Sequence, residues 1–292
     1  MADYEERRYT SQDGLALYFR DYGPRDGQLT PVLCLPGLTR NSNDFRRVAK
    51  LLGHERRVIC PDYRGRGASP PDPDWRNYQP PTYVNDVRHL LTALNLHRVF
   101  VIGTSMGGLL AMGMGAAMPS VLAGALINYV GPVIETDGLD KILAYMQDGK
   151  DGFDDWDAAA AYLRTKFPEI PAETDADWLR VAQGTYQQGA DGRIEHNWDY
   201  DLIKPLLANR EIEDLWPLFR TLKRIPLVVV RGALSDILSA ETFAQMGEAC
   251  PNTVPVTVDG VGHMPTLLET QCQEALAHAL AECDPDFHAP RH

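Results

Sequence analysis

No apolar run in the 292 residues approaches the roughly eighteen that a membrane span needs. The opening MADYEERRYT lacks the apolar core of a secretory leader. Neither membrane spanning nor secretion is expected, and the expected location is cytoplasmic. Cysteine is scarce and unpatterned: five residues, at 34, 60, 250, 272 and 283, an odd number with no CxxC pair. That argues for reduced, mostly buried thiols and against a disulfide framework or a zinc site, so no metal is expected. Basic residues are outnumbered, 28 Lys and Arg against 40 Asp and Glu, for a formal charge of −12. Nucleic acids and anionic membranes reward basic patches, so neither is an expected partner; the composition leaves homo-oligomerisation open. Internal repeats and low-complexity segments are missing too. What remains is ordinary globular composition, 44% apolar and 23% charged, in a chain long enough for one large domain or a core carrying a lid.

The segment Tyr9 to Tyr22 alternates around Asp13-Gly14 and reads as an antiparallel hairpin. Six short runs rich in Val, Ile and Leu follow: Val32–Leu35, Val58–Cys60, Val99–Ile102, Ala123–Ile127, Pro226–Val230 and Val254–Val258. Helical patterns such as Asp86–Leu94 separate them, and continuous apolar strands alternating with amphipathic helices predict a mostly parallel sheet covered on both faces. About a hundred residues separate the fourth and fifth runs, too many for one crossover helix. Within 133–222 lie four of the five tryptophans (156, 178, 198, 216) and 19 Asp and Glu against nine Lys and Arg, most of the chain's acidity. Helical spacing recurs there at Leu139, Ile142, Leu143 and Met146, at Trp156, Ala160, Leu163 and Phe167, and at Trp178, Leu179 and Ala182. Asp155 and Thr174 fit as N-caps of the last two. The expected organisation is an α/β core, 1–132 and 223–292, with a helical cap, 133–222, inserted into it.

Chemistry concentrates where the strand Val99–Ile102 runs into Gly103-Thr104-Ser105-Met106-Gly107 and then a helix. A sharp strand-to-helix turn of this G-x-S-x-G form leaves no room for side chains beside the serine and holds its Oγ at the carboxyl edge of a sheet. The N–H of Met106 then points from a helix N-terminus toward any anion formed there. A serine needs a base, and the base an orienting carboxylate, in the chain order serine, acid, histidine. His263 follows the last strand in the Gly-rich stretch Asp259-Gly-Val-Gly-His263, whereas the other seven histidines fall on early helices or loops, in the cap, on the last helix or in the tail. Asp236 is the only carboxylate between the strand at Pro226–Val230 and Glu241; Glu135, after the preceding strand, is the reserve. The loop Pro36-Gly37-Leu38 after the first apolar run offers the Leu38 N–H as a second donor to the same oxygen. Arg40, just beyond, fits the pocket mouth as well as it fits a solvated or paired surface residue.

With these residues the chain resembles an α/β-hydrolase fold enzyme over about 15–132 and 223–280. The stretch Asp62-Tyr63-Arg64-Gly65-Arg66-Gly67-Ala68-Ser69 resembles the family's D-x-R-G-x-G-x-S, which implies a structural turn and no catalytic role for Asp62. Two departures stand out: Pro36-Gly37 where relatives commonly have His-Gly, and Tyr129 where they often carry Asp before Val-Gly-Pro. The resemblance implies an acyl-enzyme, because relatives that alkylate a carboxylate need aspartate at the elbow. Carboxylic-ester hydrolysis of a small to medium, largely apolar substrate is the favoured expectation. Carbon–carbon bond hydrolysis next to a ketone, lactone opening, and a small-molecule receptor with a slow triad remain open. No cofactor is expected: the Gly103–Gly108 stretch lacks the lysine of a phosphate-binding loop, and no dinucleotide fingerprint occurs.

Overall fold

The structure is a computed structural model that describes residues 3–133, 136–148, 151–168, 170, 172–208, 214–262 and 264–284, with the backbone only of 136, 137 and 139. The reserve acid Glu135, the predicted base His263, the Leu139 side chain and the tail after Asp284 lie outside the described residues.

Strands β1 (Glu5–Thr10) and β2 (Ala16–Tyr22) form the antiparallel hairpin, with Gly14 at φ +90° in its turn. Each of the six apolar runs is a strand: β3 (Val32–Leu35), β4 (Val58–Pro61), β5 (Val99–Thr104), β6 (Leu122–Asn128), then, after the insertion, β9 (Leu227–Gly232) and β10 (Thr253–Val258). Helices α1 (Arg46–Leu52), α2 (Pro80–Ala93) and α3 (Met106–Ala117) connect the early strands, and α9 (Ala240–Ala249) and α10 (Thr270–Cys283) flank the last. Helix α2 starts earlier than its apolar spacing announces, because Pro80 and Pro81 suit a first helical turn whose N–H groups have no acceptor anyway.

The eight strands run in the order β1-β2-β4-β3-β5-β6-β9-β10, all parallel except β2. Period-two alternation sends Leu33, Leu35, Val99 and Val101 to one core and Val32, Cys34, Phe100 and Ile102 to the other. Continuous apolar strands are thus buried on both faces. The crossovers from β3 leave to β4 on one side, and the chain returns through α2 to β5 on the other. This is the kind of reversal that opens a crevice at the carboxyl ends of parallel strands.

Between β6 and β9 stands the inserted, mainly helical region: α4 (Thr136–Gln147), α5 (Trp156–Lys166), α6 (Asp175–Thr185), α7 (Ile203–Ala208) and α8 (Trp216–Phe219). Asp155 caps α5 through the Ala158 N–H, and Thr174 with Asp177 forms a reciprocal capping box on α6. The helical reading did not foresee the small hairpin β7 (Tyr186–Gln188) and β8 (Ile194–His196). Its polar turn residues Gly189 to Gly192 carry the signal, in strands too short to show a period. At the far end the insertion returns to the core: Thr221 and Leu222 lie so close to Gly115 of α3 that a side chain there would strike them.

Candidate active site

Ser105 sits between β5 and α3 with φ +52° and ψ −119°. A non-glycine residue in that region costs about 1–3 kcal/mol, and it persists only where surroundings enforce it. Here they do. The Ser105 N–H donates to the Asn128 carbonyl at 3.1 Å, and its carbonyl accepts from Gly108 at 2.8 Å. Gly107 lies against β3 so tightly that an added Cβ would fall inside van der Waals distance of the Leu35 carbonyl. Gly107→Ala should therefore destabilise the protein by about 1–3 kcal/mol or more, read as a lowered denaturation midpoint.

The loop after β3 packs on the same turn. A Cβ at Gly37 would come 3.6 Å from that of Ser105, which places the loop that carries Leu38 beside Ser105. The N–H groups of Leu38 and Met106 make no hydrogen bond to another described residue. Met106 opens α3, where helix geometry leaves N–H groups without internal acceptors. Arg66 holds this loop from behind. It is fully buried, lies over the rings of Tyr63, Tyr78 and Tyr83, and donates from Nε to the Leu38 carbonyl at 2.9 Å. Tyr63 adds a bond from its hydroxyl to the Pro36 carbonyl at 3.2 Å. Asp62 accepts from the Ser42 and Ala68 N–H groups at 2.7 and 2.9 Å, and burial pushes its carboxyl up against those bonds. The whole 62–69 segment braces the loop.

Asp236 lies in the loop after β9, 38% exposed, and pairs with Lys141 of α4. This loop is tied to the one after β10 by bonds from Ala233 N–H to the Val258 carbonyl, 2.9 Å, and from Leu234 N–H to the Val261 carbonyl, 3.0 Å. Gly262, immediately before His263, lines a 580 Å³ pocket together with Asp236; Met264, immediately after it, lines the cavity that contains Ser105. Asn128 links the parts: its carbonyl takes the Ser105 N–H while its side-chain amide donates to the Pro265 carbonyl at 3.0 Å. An asparagine ending the otherwise apolar, fully buried strand Leu122–Asn128 was the available signal for that role.

The Ser105 cavity has a volume of about 100 Å³ and a mostly apolar wall that includes Leu38, Ile142, Leu163, Ile170 and Val181. Its aromatic lining is Tyr129, Tyr145 and Phe167; none of the four cap tryptophans lines it. Trp178 and Trp198 are buried, and Trp156 and Trp216 pack against the core. Tyr129 is itself at φ +49° and lines the same cavity as Ser105. Burial, aided by Asp44, pushes the Tyr129 phenol above its usual range, so it stays a neutral hydroxyl. Arg40 borders this cavity and a neighbouring pocket of 340 Å³. It is part-buried and paired with Asp44, so it is a pocket-lining and a paired residue at once.

A strained strand-to-helix turn after β5 of a mostly parallel eight-stranded sheet flanked by helices, with a helical region inserted after β6, defines the α/β-hydrolase fold. The model of the alpha/beta hydrolase family matches residues 32–279, and the chain belongs to that family. It is 35% identical, over 82% of its length and 84% of the relative's, to a 3-hydroxybutyrate-oligomer hydrolase of Cupriavidus necator. It is 28% identical, over 80% and 81%, to a 2-(acetamidomethylene)succinate hydrolase of Mesorhizobium japonicum. The crystal structure of an alpha/beta hydrolase from Novosphingobium aromaticivorans superposes with a TM-score of 0.89 at 40% identity, covering 97% of this chain and 99% of that one. Hydrolase activity in general follows from these similarities.

Proposed function

We propose that the protein is a serine hydrolase that cleaves carboxylic esters of small to medium, largely apolar substrates through an acyl-enzyme. Ser105 Oγ attacks the ester carbonyl as His263 takes its proton, and Asp236 orients the imidazole. The N–H groups of Leu38 and Met106 receive the tetrahedral oxyanion. Collapse expels the alkoxide, which takes the proton back from His263, and a water activated by the same base then releases the acid. The observation that carries this reading is the left-handed backbone of Ser105, enforced between Asn128 and Gly107 and opening on an apolar cavity. The Cupriavidus relative adds support, since 3-hydroxybutyrate oligomers are joined by ester bonds.

In this reading the segment 133–222 acts as the cap that selects substrate for a core of 1–132 and 223–292. The chemistry uses only side chains and backbone amides. Cytoplasmic location, with no nucleic-acid or membrane partner, belongs to the same proposal; the free, buried state of all five cysteines and the charge of −12 support it. A cavity of 100 Å³ holds about three waters' worth of volume, enough for a short acyl chain. On a panel of p-nitrophenyl esters, lactones and ring-cleavage diketones, short acyl esters should be turned over best. From butanoate to octanoate kcat/KM should fall about tenfold or more, because extra methylenes must force the cavity wall apart. Turnover of diketones with inert esters would refute the ester assignment.

A further inference from the structure

The Arg40 guanidinium stands where the Ser105 cavity meets the 340 Å³ pocket and lines both. Its pose is set by a two-bond fork, Nε and Nη2 donating to the Asp44 carboxylate at 2.9 and 2.6 Å, and by Nη1 donating to Thr185 Oγ1 at 2.7 Å. Thr185 is fixed in turn through its bond to the Val181 carbonyl at 2.8 Å. Burial works against the cation and the Asp44 carboxylate more than offsets it, so the group stays charged. A guanidinium has five N–H groups; Asp44 and Thr185 take three, and the rest have no acceptor among the described residues. Gly184 faces Nη2 without a side chain to cover it.

The charged lining of the outer pocket, among the described residues, is Arg40, Arg47 and Arg180 against Asp44 and Asp177. Asp44 is committed to Arg40 and Asp177 to Arg180 and the Thr174 cap, whereas Arg47 forms no ion pair with a described residue. The pocket beside the nucleophile therefore carries an excess of positive charge in a protein whose net charge is −12. A pre-oriented arginine with spare donors at the edge of the mostly apolar Ser105 cavity is matched by a planar carboxylate.

We propose that Arg40 forms a carboxylate subsite: the preferred substrate is an ester that bears a free carboxylate, held at Arg40 while the ester carbonyl lies over Ser105. This rests on the ester-hydrolase reading above. The test compares 4-acetoxybutanoate with 4-acetoxybutanamide, which share one ester bond and differ in the anion. Wild type should favour the carboxylate by about 10- to 100-fold in kcat/KM. Arg40→Gln should bring that ratio to about one, whereas Asp44→Asn, which removes the competing carboxylate, should raise it by about threefold. The two substitutions break the same ion pair, so a bracing role would move both variants alike. A wild-type ratio near one, or a shift of both variants in one direction, overturns the subsite.

Inert esters together with an unlabelled Ser105 would instead count against the hydrolase reading. The subsite is then read without turnover, by calorimetric titration of glutarate. Binding to wild type, its loss in Arg40→Gln and its tightening in Asp44→Asn support the subsite; no binding to wild type overturns it.

Discussion

Ser105→Ala should lower kcat by about 10⁴-fold or more and abolish labelling by a fluorophosphonate probe that otherwise modifies the protein stoichiometrically. The magnitude follows from the cooperation of the proposed groups: without the nucleophile, base and carboxylate have nothing to activate, and only oxyanion donors and binding remain. The fold should survive. Alanine and serine meet the same backbone penalty at φ +52°, and the bonds that enforce the turn come from main-chain atoms of residue 105. A thermal midpoint close to wild type, measured beside the lost activity, would separate chemistry from unfolding. Labelling that persists in the alanine variant would remove the nucleophile from Ser105.

The second large effect is expected at Asp236. Asp236→Asn should fold normally and lose about 10³–10⁴ in kcat, because an amide in place of the carboxylate favours the wrong imidazole tautomer. The wild-type kcat/KM should rise with pH through a single ionisation, since only neutral His263 can accept the Ser105 proton. Asp236 also pairs with Lys141 on the cap, so the variant breaks two interactions. Lys141→Met isolates the second. An ion pair this exposed contributes little, about 0–1 kcal/mol, and its loss should change kcat by less than about fivefold. Glu135→Gln is the further control and should be nearly silent. An inactive Glu135→Gln beside a near-normal Asp236→Asn would move the acid to the loop after β6 and leave the roles of serine and histidine intact.

How far the sequence alone reaches differs between the sheet and its surroundings. The strands of the parallel sheet were legible because burial on both faces demands uninterrupted apolar runs, as in Val99-Phe-Val-Ile and Ala123–Ile127. The turn at Ser105 was legible because close approach of backbones admits only glycine, and Gly103 and Gly107 stand at the two crowded positions. Caps Asp155 and Thr174 were equally local, since a side chain three residues from an N–H needs no distant partner to reach it. The cap tryptophans were not legible in the same way: composition left substrate contact and packing against the core equally open, and tertiary packing lined the Ser105 cavity with Tyr129, Tyr145 and Phe167.

Partnerships across the chain were beyond the sequence for one physical reason. A pairing such as Arg40 with Thr185, Arg66 with the Leu38 carbonyl, Asp236 with Lys141, or Asn128 between Ser105 and Pro265 joins residues up to 145 positions apart. No local propensity encodes which of 28 cations meets which acceptor; that is settled when the sheet order brings loops from different strands to one edge. The strands of the sheet and the strained turn at Ser105 were thus determined by the sequence, through causes that are local. What surrounds them, including Arg40 between two cavities, was decided by the tertiary structure.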